Sequence, residues 1–204
     1  TFAPFSWNRY TVRTMLSFSD DPYIFVEPKP CKPLIAAMRV VNQLISLPAA
    51  HHRITGVEVQ HGDRATQAAT DGKRLLFVPN HSTHSDVEII TDVYRKLSLD
   101  SQYMAAYEVF SRTKLRGWLM QRGGAFSVDR EGSDKKSMKQ AIKTLVEGKY
   151  GLTIFPEGNV HFTNERVTSF LEGAAFIALQ AQRELADDAE VVIVPVAIKV
   201  THVT

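Results

Sequence analysis

Cysteine, long apolar runs and net charge are all scarce in this chain of 204 residues. One cysteine, Cys31, excludes an intrachain disulfide framework and a multi-cysteine metal site, and it makes a reducing compartment the default. The longest apolar stretches, 34–38 and 191–198, fall well short of the roughly 20 residues that a bilayer-spanning helix needs. No basic-then-apolar signal segment opens the sequence as given. Lys and Arg number 24 against 22 Asp and Glu, a formal charge of +2, too small an excess for a protein that binds nucleic acid over its whole surface. Internal repeats and low-complexity tracts are absent too. What is present is ordinary for a folded domain: 44% apolar and 23% charged residues, enough for one full core or two small ones.

Prolines 4, 22, 28, 30 and 33 punctuate the first 33 residues, which read as an irregular arm. Residues 34–47 then read as a helix, because Leu34, Met38, Val41 and Ile45 recur at helical spacing and Pro48 ends it. Beyond it, β-branched runs at 54–59, 75–79, 102–107, 125–128, 152–155 and 191–200 read as strands. Amphipathic stretches at 86–97, 113–121, 133–147 and 169–186 read as helices. Residues 62–73, polar and without pattern, read as a surface loop. Strands alternating with helices predict an α/β fold with a mostly parallel central sheet flanked by helices.

The most informative segment is LLFVPNHSTHSDVEII, residues 75–90. A strand runs into Asn80–His81, and Ser85 with Glu88 forms an S-x-x-E pattern that places Ser85 at a helix N-cap. His81 then lies at the C-terminal end of a strand, where ligand sites of open α/β sheets gather. On one continuous helix, side chains five residues apart would point about 140° apart, so the intervening loop is what lets His81 meet Asp86. Such a pair has a chemical use. One imidazole nitrogen takes a proton from an attacking hydroxyl while the carboxylate holds the other and stabilises the imidazolium. Two other readings stay open at this point: Asp86 serves only the helix dipole, or His81, His84 and Asp86 bind a metal as part of a hydrolase.

Three further segments accompany this one. Residues 80–86, NHSTHSD, resemble the N-H-x-x-x-x-D block of the glycerolipid acyltransferases, and 124–130, GAFSVDR, are similar to their G-x-x-F-I-D-R block. Residues 155–158, FPEG, resemble the start of F-P-E-G-T-R-S, and 194–197, VPVA, resemble the short fourth block. The four occur in the family's order. The resemblance implies that His81 is the general base and that Asp86 orients it. Gly124 and Arg130 would help bind the acceptor's phosphate, Glu157 and Gly158 would complete the acceptor pocket, and Pro195 would shape a wall near the acyl donor. It implies transfer of a fatty acyl group from acyl-CoA or acyl-carrier protein to a lysophospholipid hydroxyl, by default that of 1-acyl-glycerol-3-phosphate. Neither a metal nor another cofactor is expected.

The third block departs from the pattern, with Asn159, Val160 and His161 where Thr, Arg and Ser are usual, which opens the identity of the acceptor. Ser127 also replaces a common Phe. Arg112, Lys114, Arg116, Arg122 and Arg130 form a basic region suited to anionic head groups or to the phosphates of CoA. The expected organisation is an N-terminal arm with a membrane-contact helix at 1–50, Phe2, Phe5, Trp7 and Phe18 assisting, and a catalytic domain at 51–204. The chain stops where family members commonly continue. A cytoplasmic protein held peripherally on a membrane is expected.

Overall fold

The computed structural model describes residues 23–49, 52–130, 132, 134–164, 166–186 and 188–202. Its strands are β1 (Arg74–Pro79), β2 (Ser101–Ala106), β3 (Ala125–Val128), β4 (Gly151–Thr153) and β5 (Val191–Val196). Its helices are α1 (Lys32–Val41), α2 (Gly62–Thr70), α3 (Asp86–Leu97), α4 (Tyr107–Ser111), α5 (Lys114–Arg122), α6 (Lys135–Glu147) and α7 (Gly173–Glu184). The strands pair in the order β3-β2-β4-β1-β5, all parallel. The expected α/β class and parallel sheet are therefore what the chain forms.

A parallel sheet covered on both faces needs strands that are apolar on both faces. β1 meets this, being buried from Leu75 to Pro79. Leu76 and Val78 pack into a layer with Leu145 of α6 and Ile177 of α7. Leu75 and Phe77 pack into the opposite layer with Ala65 of α2 and with Ile89, Ile90 and Tyr94 of α3. Helix α3 is also tied to β4 by a hydrogen bond. The Tyr94 hydroxyl meets Thr153 Oγ1 at 2.6 Å beneath the sheet, and burial pushes its pKa well above the ordinary value.

Of the arm before α1, residues 23–31 are described; they form no regular element, yet they are held in place. The Lys29 and Cys31 N–H groups donate to the Gln121 and Arg122 carbonyls at 3.0 and 2.9 Å. Ser127 exchanges bonds with Val26: its N–H donates to the Val26 carbonyl at 3.0 Å, and its hydroxyl accepts from the Val26 N–H at 2.8 Å. The hydroxyl of this fully buried serine adds a bond to the arm along β3 that a phenylalanine could not supply. Tyr23 joins the same cluster, donating to Asp134, the N-cap of α6. Asp134 also accepts from the Lys136, Ser137 and Asp129 N–H groups. Burial alone would raise its pKa, but the bonds from Tyr23, Ser137 and Asp129 outweigh that and lower it.

Helix α1 runs into a π-helical turn, Asn42–Ser46, in which the Leu47 N–H reaches the Asn42 carbonyl. Its anchorage is largely polar. Asn42 donates to the Glu88 carbonyl at 2.8 Å, and Arg39 donates to the Leu99 carbonyl at 2.6 Å and pairs with Asp100 at 3.0 Å. Val40, Val41, Leu44 and Ile45 are left exposed. No helix among the described residues is long and apolar enough to cross a membrane.

Several expectations need correction. Residues 54–59 pair with no strand among the described residues. Ile54 bonds back to the Leu47 carbonyl, and Ile54 and Val57 pack onto the α2–α3 layer as an irregular segment. Residues 62–73 are not a loop but contain α2. Its contacts come from Ala65, Ala68 and Ala69, small side chains whose helical spacing is masked by polar neighbours. The fourth-block strand ends at Val196, and the stretch after it is irregular. Phe2, Phe5, Trp7 and Phe18 lie outside the described residues.

Asp134→Ala removes an N-cap and the acceptor for Tyr23 together. The expected loss is roughly 1–2 kcal/mol in urea unfolding, with Asp134→Asn, still a good N-cap, losing less.

Candidate active site

The site is built where two neighbouring strands end. β1 and β4 pair with Leu76 opposite Leu152 and Phe77 opposite Thr153. The same offset of 76 residues carries past the strand ends, so His81 arrives opposite Glu157. There the His81 N–H donates to Glu157 Oε1 at 2.8 Å. The His161 N–H bonds to the His81 carbonyl at 3.1 Å, and the Phe155 ring lies against the imidazole with centroids 4.3 Å apart. The backbone of His81 is thus held on both sides while its ring stays accessible, its side chain 16% exposed.

Asp86 lies in the first turn of α3 and is completely buried. Its Oδ2 meets His81 Nδ1 at 3.0 Å. Thr83 supplies the other donors, its N–H to Oδ2 and its hydroxyl to Oδ1, each at 2.8 Å. A carboxylate accepts only, so Nδ1 carries the ring proton and Nε2 keeps a lone pair, which is the tautomer of a general base. Of the three readings open for this segment, the structure brings His81 and Asp86 together as a pair. His84 turns instead to meet Phe162 edge-on at 5.0 Å. Among the described residues, no group of three or more His, Cys, Asp or Glu is arranged to hold a metal ion.

The expected capping box does not form. Ser85 precedes α3, but its side chain caps nothing and instead meets His52 Nδ1 at 2.7 Å. Glu88 Oε1 stands 3.8 Å from the other ring nitrogen of His52.

Glu157 is 7% exposed and engaged on both oxygens. Oε2 accepts from the Thr168 hydroxyl and from its N–H, the latter at 3.3 Å. Burial alone would raise its pKa. The Thr168 and His81 bonds, with the charge of His161, more than offset this and hold it below the ordinary value. In this structure Glu157 ties the His81 turn to the loop 159–172 rather than presenting a vacant acceptor. Gly158 has φ +74°, and a Cβ there would lie 2.7 Å from Leu171, so no other residue fits without displacement.

Arg130, beyond β3, donates to Asn159 Oδ1 at 2.7 Å and to the Gly158 carbonyl at 3.4 Å, and it pairs with Glu108 at 3.4 Å. Gly124 is not brought to this end. It precedes β3, at the opposite, N-terminal end of that strand, where its carbonyl accepts from the Tyr103 N–H. Its backbone has φ +93° at the turn out of α5. Pro195 sits exposed on the edge strand β5, paired with Val78.

Sequence reasoning misses five contributors. Thr83 is readable, since a threonine three residues before an aspartate is a common local bond. Asn80 reads only as a motif letter; its amide clamps both the N–H and the carbonyl of Ile198, at 2.6 and 3.1 Å. Asn164 grips Val200 in the same way, at 2.8 and 2.6 Å. Glu108 and Thr168 come from distant segments and leave no local signal.

The sequence model of the Acyltransferase family matches residues 56–199. The glycerol-3-phosphate acyltransferase of Pasteurella multocida is 28% identical over 152 residues, 72% of this chain and 18% of that protein. That of Baumannia cicadellinicola is 26% identical over 153 residues, again 72% of this chain and 18% of that protein. The 1-acyl-sn-glycerol-3-phosphate acyltransferase of Streptococcus pneumoniae is 32% identical over 80 residues, 39% of this chain and 28% of that protein. The matched regions thus span less than a third of each of these relatives.

Glu157→Ala leaves the His81 N–H and Thr168 without their acceptor. An expected loss of about 2–3 kcal/mol in urea unfolding follows from charged hydrogen bonds of this kind. The lowered pKa sets the sign of the pH dependence. Stability from Glu157 is fully present above its unfolded value, ordinarily 4.5, and is lost as pH falls through the lower folded value. Below that ordinary value the melting temperature of wild type should fall more steeply than that of Glu157→Gln.

Proposed function

The chain belongs to the glycerolipid Acyltransferase family, and we propose that it moves a fatty acyl group from a thioester donor, acyl-CoA or acyl-carrier protein, to the hydroxyl of a lysophospholipid. The observation that carries this reading is the 3.0 Å contact between His81 Nδ1 and the fully buried Asp86. In the proposed reaction the acceptor hydroxyl gives its proton to His81 Nε2 as its oxygen attacks the thioester carbonyl. Asp86 stabilises the imidazolium that forms. The tetrahedral intermediate collapses with cleavage of the carbon–sulfur bond, and the leaving thiolate takes the proton back from His81. The products are an ester and a free thiol. His81 and the thioester supply the reactivity, so no cofactor enters the scheme. Arg130 contacts the acceptor's phosphate, while Glu157 and Gly158 shape the turn that frames it. The default acceptor carried over from the motifs is 1-acyl-glycerol-3-phosphate, the compound after which the pneumococcal relative is named.

We further propose that residues 51–204 form the catalytic unit and that the N-terminal segment rests on the cytoplasmic surface of a membrane. Its support is the outward apolar face of α1 and the π turn, fastened through polar contacts. Leu115 and Trp118 of α5 are exposed as well, with Arg122 over the Trp118 ring at 5.8 Å.

Thiol release from palmitoyl-CoA, measured with and without a panel of lysolipids, tests the catalytic reading. His81→Ala should lower acceptor-dependent release by about 10²–10⁴-fold with the circular dichroism spectrum unchanged, and Asp86→Asn should lower it strongly too. Full turnover in folded His81→Ala would remove His81 from the reaction. In vesicle co-sedimentation, replacing Leu44 and Ile45 together by Ser should lower the bound fraction several-fold; unchanged binding would remove this face from the membrane contact.

A further inference from the structure

A second polar cluster stands beside the turn that follows β4. Arg130 comes from the end of β3, Glu108 from the start of α4 directly after β2, and Gly158–Asn159 from beyond β4. The sheet order β3-β2-β4 makes these three strands neighbours, so their C-terminal ends bring the residues together. Gly158 is next to Glu157, which holds the His81 backbone, so the cluster adjoins the proposed base. Arg130 Nη1 is bound to Asn159 Oδ1 and Nη2 stands 3.4 Å from Glu108 Oε1. The Arg130 and Glu108 side chains are 29% and 27% exposed, so solvent reaches the pair. Glu108 Oε2 is shut off from solvent and has no hydrogen-bond partner.

Charge decides which head group such a pair accepts. The guanidinium and the carboxylate together sum to zero. Asn159 and Val160 continue the turn with an amide and an apolar group and add no cation, and His161 beyond them stands by Glu157. A phosphate monoester carries about −1.5 to −2 at neutral pH. Placed on Arg130 it would face Glu108 at close range, with one guanidinium to offset both. A phosphodiester carries one negative charge, which Arg130 alone matches. An ammonium on the same head group has the partly exposed Glu108 carboxylate to meet.

We infer that Glu108 is a specificity-determining residue of the acceptor subsite, selecting lysophospholipids with a zwitterionic phosphodiester head group over phosphate monoesters. The inference rests on the acyl-transfer reading above and replaces its default acceptor. Asn159 acts with Glu108 by holding the guanidinium in one orientation.

The test compares kcat/KM for lysophosphatidylethanolamine, lysophosphatidylglycerol and lysophosphatidic acid. They are presented at equal mole fraction in detergent micelles, with palmitoyl-CoA and palmitoyl-carrier protein as parallel donors. Wild type should rank them in that order, with at least about tenfold between the first and the last, the size expected of a like-charge juxtaposition. Glu108→Gln should raise use of lysophosphatidic acid at least about tenfold relative to lysophosphatidylethanolamine. Val160→Arg, which adds a cation without touching Glu108, should move the ranking the same way, so the test survives misfolding of either variant. A wild type that prefers lysophosphatidic acid, or a ranking unmoved by both substitutions, would overturn the inference while His81-dependent transfer persisted. No transfer to any of the three from either donor would overturn the acyl-transfer reading and the inference with it.

Discussion

A carboxylate with no contact with water organises the catalytic end of this protein. Asp86 is completely buried, and an ion there persists only if donors replace its hydration. Thr83 supplies two donors and His81 the third. The loop from residue 81 to residue 86 must therefore fold back on the first turn of α3. That return orients the imidazole and sends its second nitrogen outward. Helix α3 in turn is fixed by Ile89, Ile90 and Tyr94 in the layer beneath the sheet. Packing far from solvent and the tautomer of one ring are links in the same chain of causes.

Glutamate 157 extends this order to the neighbouring strand, and the two asparagine clamps extend it to the far edge. Asn80 and Asn164 treat the chain after β5 as a further strand, each pairing through a side-chain amide with a backbone N–H and carbonyl. The irregular walls of the site thus gain ladder-like bonds without forming sheet. The loop 159–172 is held at Glu157 and Val200 while exposing Phe162, Val167, Phe170 and Leu171.

Much of this is legible in the chain. The α/β class, the span of α3 and the residues of β3 follow from apolar periodicity, and the His81–Asp86 pair follows from a strand end meeting a helix start. What escapes is decided by contacts between distant segments. Residues 54–59 carry a strand-like pattern but find no pairing strand among the described residues. Ser127 reads as a departure from a motif until Val26 is seen against it. Ser85 has the letters of an N-cap, but its hydroxyl is claimed by His52. Arg130 reads as an available phosphate ligand, because nothing local to it announces Glu108.

The parallel pairing of β1 with β4 sets His81 opposite Glu157 through an offset of 76 residues, and that number is itself arbitrary. It counts the helices and loops laid over the faces of the sheet, and closing a longer loop adds little entropy. The short runs from Leu76 to His81 and from Leu152 to Glu157 have no such freedom, since a slip of one residue turns every side chain to the other face. Drift in length is thereby channelled into the connections. Relatives can lengthen or shorten what lies between the two motifs while preserving to the residue the few steps that lead from each paired strand to its turn.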